Sequence, residues 1–563
     1  MNKLSKNSKW INLLLVLATF STMFCFVMFR WTILYETPDD QYIMSILSGR
    51  LLGHPDAHVV YIKYPFAILI SSLYMMFPAY DWYATIMVML QIGTISVMLY
   101  YFLKQLEKNS SKVIFTVAYY CAFFLCWTNE LLSFTYTTTA AMTGGTLVVV
   151  YELCERRIRD CGVMALLAFA TLGVRSAVFF MIVPICGIYW ICKMIKQKDA
   201  RKYDIGVVVL MLFVVVPSYA IDYCAYNSTE WKNYATYNEA RTKLYDYNEK
   251  IFSDYNDYKK NYDEVGLTEN DSKIYLSKNI ALCDEQLFSM VSKLANSLEN
   301  KSFMSRVKNT VSLIIKNGFL KNKVMLLVSF VLWTLLIVKL VYEKKIKEIK
   351  REITFWAVFG ILWFYLGYQG RIIPRVAHSM LLLQIIVATI ELMMSKLCIN
   401  IKQNTKKIFG IAFVCEVLIV CFYDVRMIKH MNDTNKDKIS NDAYKKIVTY
   451  CNAHPSAVFF GDVSSFAVCS YEYLFKADNQ CCNYIILGDW YANSLLYTEK
   501  IKQKGIDSIK NRIVEKDAYL VVRKDLVEDI DYLSDIYRKD IQLKETDEID
   551  VSRNPYGVYE LVY

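Results

Sequence analysis

Two adjacent carboxylates, Asp39 and Asp40, stand just past the first long apolar run, in the stretch ETPDDQYIMSILSGRLLGHPDAH, Glu36 to His58. A carboxylate beside an apolar region can take the proton of a hydroxyl. A like charge next to it tends to raise one pKa, and tuning of that kind suits a general base. One aspartate also has a plain structural use: after Pro38 it can accept from the first N–H groups of a helix. That use leaves the second aspartate unexplained, because two neighbouring carboxylates repel. Four cations are candidates to work opposite the pair: Lys63, Arg175, Arg371 and Arg375. A cation at the mouth of a membrane bundle is costly unless it meets an anion or water. A lipid phosphate or pyrophosphate is a natural anion at that depth, and arginine holds it with two parallel hydrogen bonds. The plain alternative is snorkelling to headgroups, or pairing with Glu36, Glu130 or Asp222.

The elements that position these residues are membrane spans. The chain has 563 residues, 55% of them hydrophobic, and a net charge of +10. Its apolar residues come in blocks, many of them reaching the roughly 17–25 residues that cross a bilayer as a helix. The basic residues cluster in short loops between blocks, where they set topology, so the charge does not indicate nucleic acid. The fold class is a polytopic α-helical membrane protein of about eleven spans. The first run, Ile11 to Phe29, follows Lys3, Lys6 and Lys9 and lacks a small-residue cleavage site, which reads as a retained span. The basic N-terminus is expected inside. Later spans are expected at 82–102, 113–127, 135–153, two crossings within 161–195, then 205–221, 324–342, 354–368, 377–394 and 408–423. The run Tyr64 to Phe77 is too short to cross and is expected to lie at the outer surface.

Two segments stand apart from the spans. The polar stretch 222–321 carries helical spacing at Trp231, Tyr234, Asn238, Arg241 and Leu244, and reads as an external helical loop. From residue 424 the pattern changes to short buried-type strands, AVFFGDVSSFAV, NYIILGDW, AYLVVRK and YGVYELVY, between charged helical stretches. The chain thus divides into a bundle over 1–423, with an external loop at 30–81, and a small extracytoplasmic α/β domain over 424–563. Gly461-Asp462 and Gly488-Asp489 each end a strand, which turn chemistry explains. No phosphate-binding glycine loop, HExxH, CxxC pair or zinc spacing occurs.

The order of parts resembles a known superfamily. A basic N-terminus, one span, an external PDDQY, an interfacial helix with Tyr42, Ile43, Ile46, Leu47 and Leu51 on one apolar stripe, YIKYPFAILISSLY, and then YDWYATIMV look like the GT-C glycosyltransferases. The pattern is similar especially to that of the protein O-mannosyltransferases and the lipid A aminoarabinose transferases. The resemblance covers roughly Ile11 to Phe102. It implies a sugar taken from a polyprenyl-phosphate donor and passed, with inversion, to a cell-envelope glycan, lipid or protein on the outer face. It also implies Asp39 as the catalytic acidic residue and Asp40 as its acidic neighbour. Arg175, Arg371, Arg375 and Lys63 would then bind the lipid phosphate. No cofactor is required, although adjacent aspartates can hold a divalent metal. Two positions depart from the pattern: Asp40 stands where Glu is common, and Lys63-Tyr64-Pro65 matches the basic-or-His and Pro step loosely. Composition suggests a bacterial plasma membrane. A transporter or flippase, with Glu416 as a relay residue, and a silent envelope scaffold are the other classes the sequence leaves open.

Overall fold

The computed structural model describes residues 3–196, 201–246, 250–283, 285–298, 303–395, 425–439, 442–465, 482–530, 532–537, 539–551 and 554–562. The chain opens with α1 (Lys3–Phe29), then two short helices, α2 (Pro38–Ser48) and α3 (Tyr64–Met76). There follow α4 (Trp82–Lys104), α5 (Asn109–Leu132), α6 (Tyr136–Leu153), α7 (Ile158–Val174), α8 (Ser176–Lys196) and α9 (Arg201–Ala225). A helical excursion comes next: α10 (Thr229–Tyr245), α11 (Lys250–Ser253), α12 (Tyr255–Val265), α13 (Glu269–Ser277), α14 (Glu285–Ser297) and α15 (Phe303–Leu313). The chain returns through α16 (Lys323–Tyr342), α17 (Ile346–Tyr368) and α18 (Pro374–Met394).

Among the described residues, seven helices are long and apolar enough to cross a bilayer: α1, α4, α5, α8, α9, α16 and α18. Their outer faces carry large apolar side chains, such as Phe213 and Val216 on α9 and Leu327 and Phe330 on α16. Such surface suits lipid and not water. The expected runs at 135–153, 354–368 and the first half of 161–195 are also helical, in α6, α17 and α7. The span expected at 408–423, with Glu416, lies outside the described residues. Helix α6 is the centre of the bundle. It packs on α4, α7, α8 and α18, and its small residues let every side chain but Glu152 be buried. Helix α3 has 13 residues. At about 1.5 Å per residue it falls well short of a hydrocarbon core of about 30 Å, and it packs along α7 and α9 instead.

Helix α2 departs from the interfacial helix the sequence suggests. Its apolar stripe is buried, but so are Asp40, Gln41 and Ser48 on its other sides. The cover comes from the far end of the chain: the Tyr42 ring lies 4.9 Å from that of Tyr491 and 6.1 Å from that of Trp490. The helix stops at Gly49, where φ is +84° and a Cβ would come within 2.7 Å of the His54 backbone, so glycine is required there.

Residues 442–562 carry a five-stranded mixed sheet of order β4-β3-β5-β7-β6. The strands are β3 (Val458–Gly461), β4 (Tyr484–Ile486), β5 (Ala518–Arg523), β6 (Gln542–Ile549) and β7 (Tyr556–Val562); two earlier two-residue strands are β1 (Leu34–Tyr35) and β2 (Ser133–Phe134). Alternation along the strands separates the faces. Phe460, Ile485, Leu520 and Val522 join the main core; Phe459, Tyr484, Ile486 and Val521 form a second core with Ile447 and Cys451 of the helix Ala443–Ala453. The Gly461-Asp462 step is structural: Asp462 accepts from Asn279 Nδ2 at 2.6 Å and from Ser465 N at 2.7 Å, which ties the sheet to the excursion.

Candidate active site

The first loop is registered against the turn between α5 and α6. Strand β1 pairs with β2 in parallel, and Glu36 N donates to Phe134 O at 3.1 Å. Thr37 then takes extended angles as the N-cap, and Pro38 supplies the first helical φ. Neither aspartate is the cap; both sit in the first turn, where the helix dipole favours negative charge. From there their roles separate. Asp40 is fully buried. Its Oδ1 accepts from the Tyr83 hydroxyl at 2.7 Å and from Tyr136 N at 2.9 Å, and its Oδ2 accepts from the Thr37 hydroxyl at 2.8 Å. One carboxylate thereby pins α2 to α4 and α6. Burial pushes its pKa up to about 7, although all three hydrogen bonds oppose the rise.

Asp39, one position earlier on the helix, turns the other way. Its close charged partner is Arg375, whose Nη2 stands 3.7 Å from Oδ2. Burial raises the Asp39 pKa above the ordinary aspartate value; Arg375, then Arg175, then Arg241 pull it down, and Asp246 adds to the rise. Asp39 is thus a carboxylate in a poorly solvated place, held by charge and without the hydrogen-bond clamp of its neighbour. Both Asp40 oxygens accept from protein donors. Among the described residues no cluster of three or more His, Cys, Asp or Glu has a metal-holding arrangement.

The four expected phosphate ligands do not share one fate. Arg375 is brought in because α18 begins at Pro374 and places it in the first turn. Arg175 ends α7 in extended conformation, and its guanidinium lies 5.0 Å from the Tyr136 ring and 5.4 Å from the Tyr61 ring, in cation–π range. The end of α7 can approach α3 this closely only because residue 173 is glycine: a Cβ there would meet Phe66 at 2.7 Å. Arg371, in the loop before Pro374, instead pairs with Asp246 at 2.7 Å. Lys63 pairs with Asp222 at 2.6 Å and sits over the Tyr219 ring at 4.1 Å. The other Asp222 oxygen accepts from Tyr64 N. The Lys63 charge is therefore spent on joining α3 to α9, the plainer of the two roles its sequence position allowed.

Three groups join the site from parts of the chain the sequence did not connect to it. Arg241 lies on the buried face of α10 with Trp231, Tyr234, Tyr237 and Leu244, and its charge reaches Asp39, Tyr61 and Asp489. A cation on an apolar stripe was the available signal. Asp489 follows β4, with φ at +77°. Burial raises its pKa to about 6; the Trp490 N–H opposes this, the Asp39 charge adds to it, and Arg241 and the Tyr42 hydroxyl oppose it. Trp490 stands edge-on to Tyr61 with ring centres 5.3 Å apart, and its carbonyl accepts from the Tyr234 hydroxyl. Beyond Tyr61 opens a cleft of about 1430 Å³, lined among others by Tyr61, Trp231, Asn238, Asn309, Arg306 and Tyr368. Asp39 is not in its wall; Tyr61 is, and it lies within reach of the Asp39 charge.

No family model matches the chain, and no curated protein matches it in sequence. Two solved structures resemble it, each over 97% of this chain and 97% of theirs, at 9% identity. They are ArnT from Cupriavidus metallidurans bound to undecaprenyl phosphate, with a TM-score of 0.40, and the same protein in the apo state, with a TM-score of 0.39. The structural neighbours of this chain are thus a GT-C lipid A aminoarabinose transferase.

Proposed function

We propose that this chain is a membrane glycosyltransferase that moves a sugar from a polyprenyl-phosphate donor to a cell-envelope acceptor, with inversion, on the outer face of a bacterial plasma membrane. The observation that carries the reading is the separation of the two aspartates. Asp40 is clamped by three donors, whereas Asp39 faces Arg375 within the fields of Arg175 and Arg241. A base and an anion site side by side are what displacement of a phosphate from an anomeric carbon needs. Asp39 takes the proton of the acceptor hydroxyl as its oxygen bonds to the anomeric carbon. The bond from that carbon to the phosphate oxygen breaks, and its electron pair leaves with the phosphate. Arg375 and Arg175 offset the charge that develops there. The donor class comes from the resemblance of the first loop, and the outer location from the distribution of basic residues, which puts the N-terminus inside and the C-terminal segment outside.

The test is direct. Purified protein in lipid nanodiscs is given labelled polyprenyl-phosphate sugars and an envelope extract. Sugar-dependent release of polyprenyl phosphate, with label appearing in a new product, is the expected result. Intact donor across a panel of sugars, with folded protein, contradicts the reading.

A further inference from the structure

We propose that an anionic phospholipid sits in a groove at the end of the bundle opposite Asp39, with its phosphate at Arg159 and one acyl chain running up to Gly93. The groove lies between α1, α4 and α7. It holds about 490 Å³ and is lined by Leu17, Phe20, Gly93, Val97, Arg159 and Val163, among others. Its level in the bundle follows from α7. That helix opens beside Arg159 and ends at Arg175, which stands in the site against Tyr61 and Tyr136. At about 1.5 Å per residue the two arginines are roughly 24 Å apart along the axis, most of a hydrocarbon core of about 30 Å.

The upper part of the groove suits a lipid chain. Gly93 faces open space, and a Cβ built on it would meet nothing within 4 Å. Ser96 spends its hydroxyl on its own helix, donating to Ile92 O at 2.9 Å, so the wall beside Phe20 and Val97 offers apolar contact. Along α4 the groove runs from Gly93 to Tyr101, about 12 Å at 1.5 Å per residue and less than half of the core. One leaflet's chain fits that depth, whereas a partner helix would follow the whole thickness. The mouth supplies the charge. Lys104, Arg157 and Arg159 gather on the single carboxylate of Glu155, at 2.9, 2.6 and 3.6 Å. Arg159 is the most distant of the three, and its side chain is 55% exposed. Asp160, also in the wall, is turned to protein donors: it accepts from the Tyr101 hydroxyl at 2.8 Å and from Arg157 N at 3.0 Å. Three cations against two carboxylates leave the mouth positive, and Arg159 sits in the first turn of α7, where the helix dipole adds to it. Basic pockets between membrane helices attract anionic headgroups, and arginine takes a phosphate with two parallel hydrogen bonds.

The test places the protein in nanodiscs of phosphatidylcholine, alone or with an equal part of phosphatidylglycerol, and counts the lipid retained in mild detergent by native mass spectrometry. Wild type should keep phosphatidylglycerol in preference to phosphatidylcholine, and added phosphatidylglycerol should raise its unfolding temperature. Gly93→Leu fills the groove without a clash and should lose both effects. Gly206→Leu, at a glycine of α9 that also faces open space, is the control and should keep them. Arg159→Gln should lower phosphatidylglycerol retention about fivefold, the scale of one basic side chain at an anionic surface, and leave phosphatidylcholine unchanged. Equal retention of the two lipids by wild type overturns the proposal, as does full retention by folded Gly93→Leu or by Arg159→Gln. Displacement of the bound lipid by undecaprenyl phosphate at much lower concentration overturns it as well, and gives the groove to a polyprenyl carrier.

Discussion

Arg375 Nη2 stands 3.7 Å from Asp39 Oδ2, so the proposed base and the proposed phosphate ligand touch the same small volume. Arg375 also holds the Asp39 pKa below where burial alone would put it. A base must be ionised to act. Arg375→Gln should therefore raise the Asp39 pKa further and move the acid limb of the kcat/KM profile to higher pH, with Arg375→Lys in between. A pH series on the three proteins checks this; an acid limb that stays in place in Arg375→Gln means Asp39 is not the titrating group.

Asp40 makes a stability prediction. Its pKa is raised to about 7 in the folded chain, against about 3.9 for an unfolded aspartate. Between those values the folded state binds the proton more tightly, so this contribution to stability is lost as pH rises from about 4 through about 7. Asp40→Asn should remove that part of the pH dependence and keep the fold, since an amide can still accept from Tyr83 and Tyr136. Asp40→Ala leaves the Tyr83 hydroxyl and Tyr136 N–H without their partner, at about 1–3 kcal/mol for each buried group. Thermal unfolding in detergent across that pH range compares the variants.

Lys63 and Arg175 should separate in kinetics. Lys63 is paired with Asp222, so Lys63→Met should lower stability, with a coupling to Asp222→Asn of about 0.5–3 kcal/mol in a double-mutant cycle. Its donor KM should move little. Arg175→Met should instead raise donor KM by about tenfold or more, the scale of a lost charge-assisted contact. Equal effects on donor KM would return Lys63 to the phosphate site.

How much of this was legible varies with how local each signal is. Membrane-length helices are written as apolar runs, and α10 as a stripe through Trp231, Tyr234 and Leu244. The pair at 39 and 40 was visible because its position after one span is itself local. Their division of labour was not, because it depends on Tyr83 and Tyr136 arriving from α4 and α6. Lys63 reads equally as a phosphate ligand or as a partner of an acidic residue until Asp222, at the end of α9, comes beside it. The stripe on α2 reads as lipid-facing until Tyr491 covers it. Strand β6 was missed because QLKETDEI is charged and mostly exposed, so its place in the sheet comes from pairing with β7 and not from burial. Asp489 looked like a turn residue, and its backbone is one; only the docking of the sheet brings it within reach of the Asp39 charge.

The central claim is that Asp39 does chemistry and Asp40 holds structure, and one paired measurement addresses it. Single-turnover transfer from a labelled polyprenyl-phosphate sugar is compared in wild type, Asp39→Asn and Asp40→Asn, each shown to be folded and to bind donor. The account predicts a loss of about 10²–10⁴-fold for Asp39→Asn, the usual worth of a general base, with donor affinity kept and a much smaller loss for Asp40→Asn. Near-wild-type transfer by folded Asp39→Asn would contradict it.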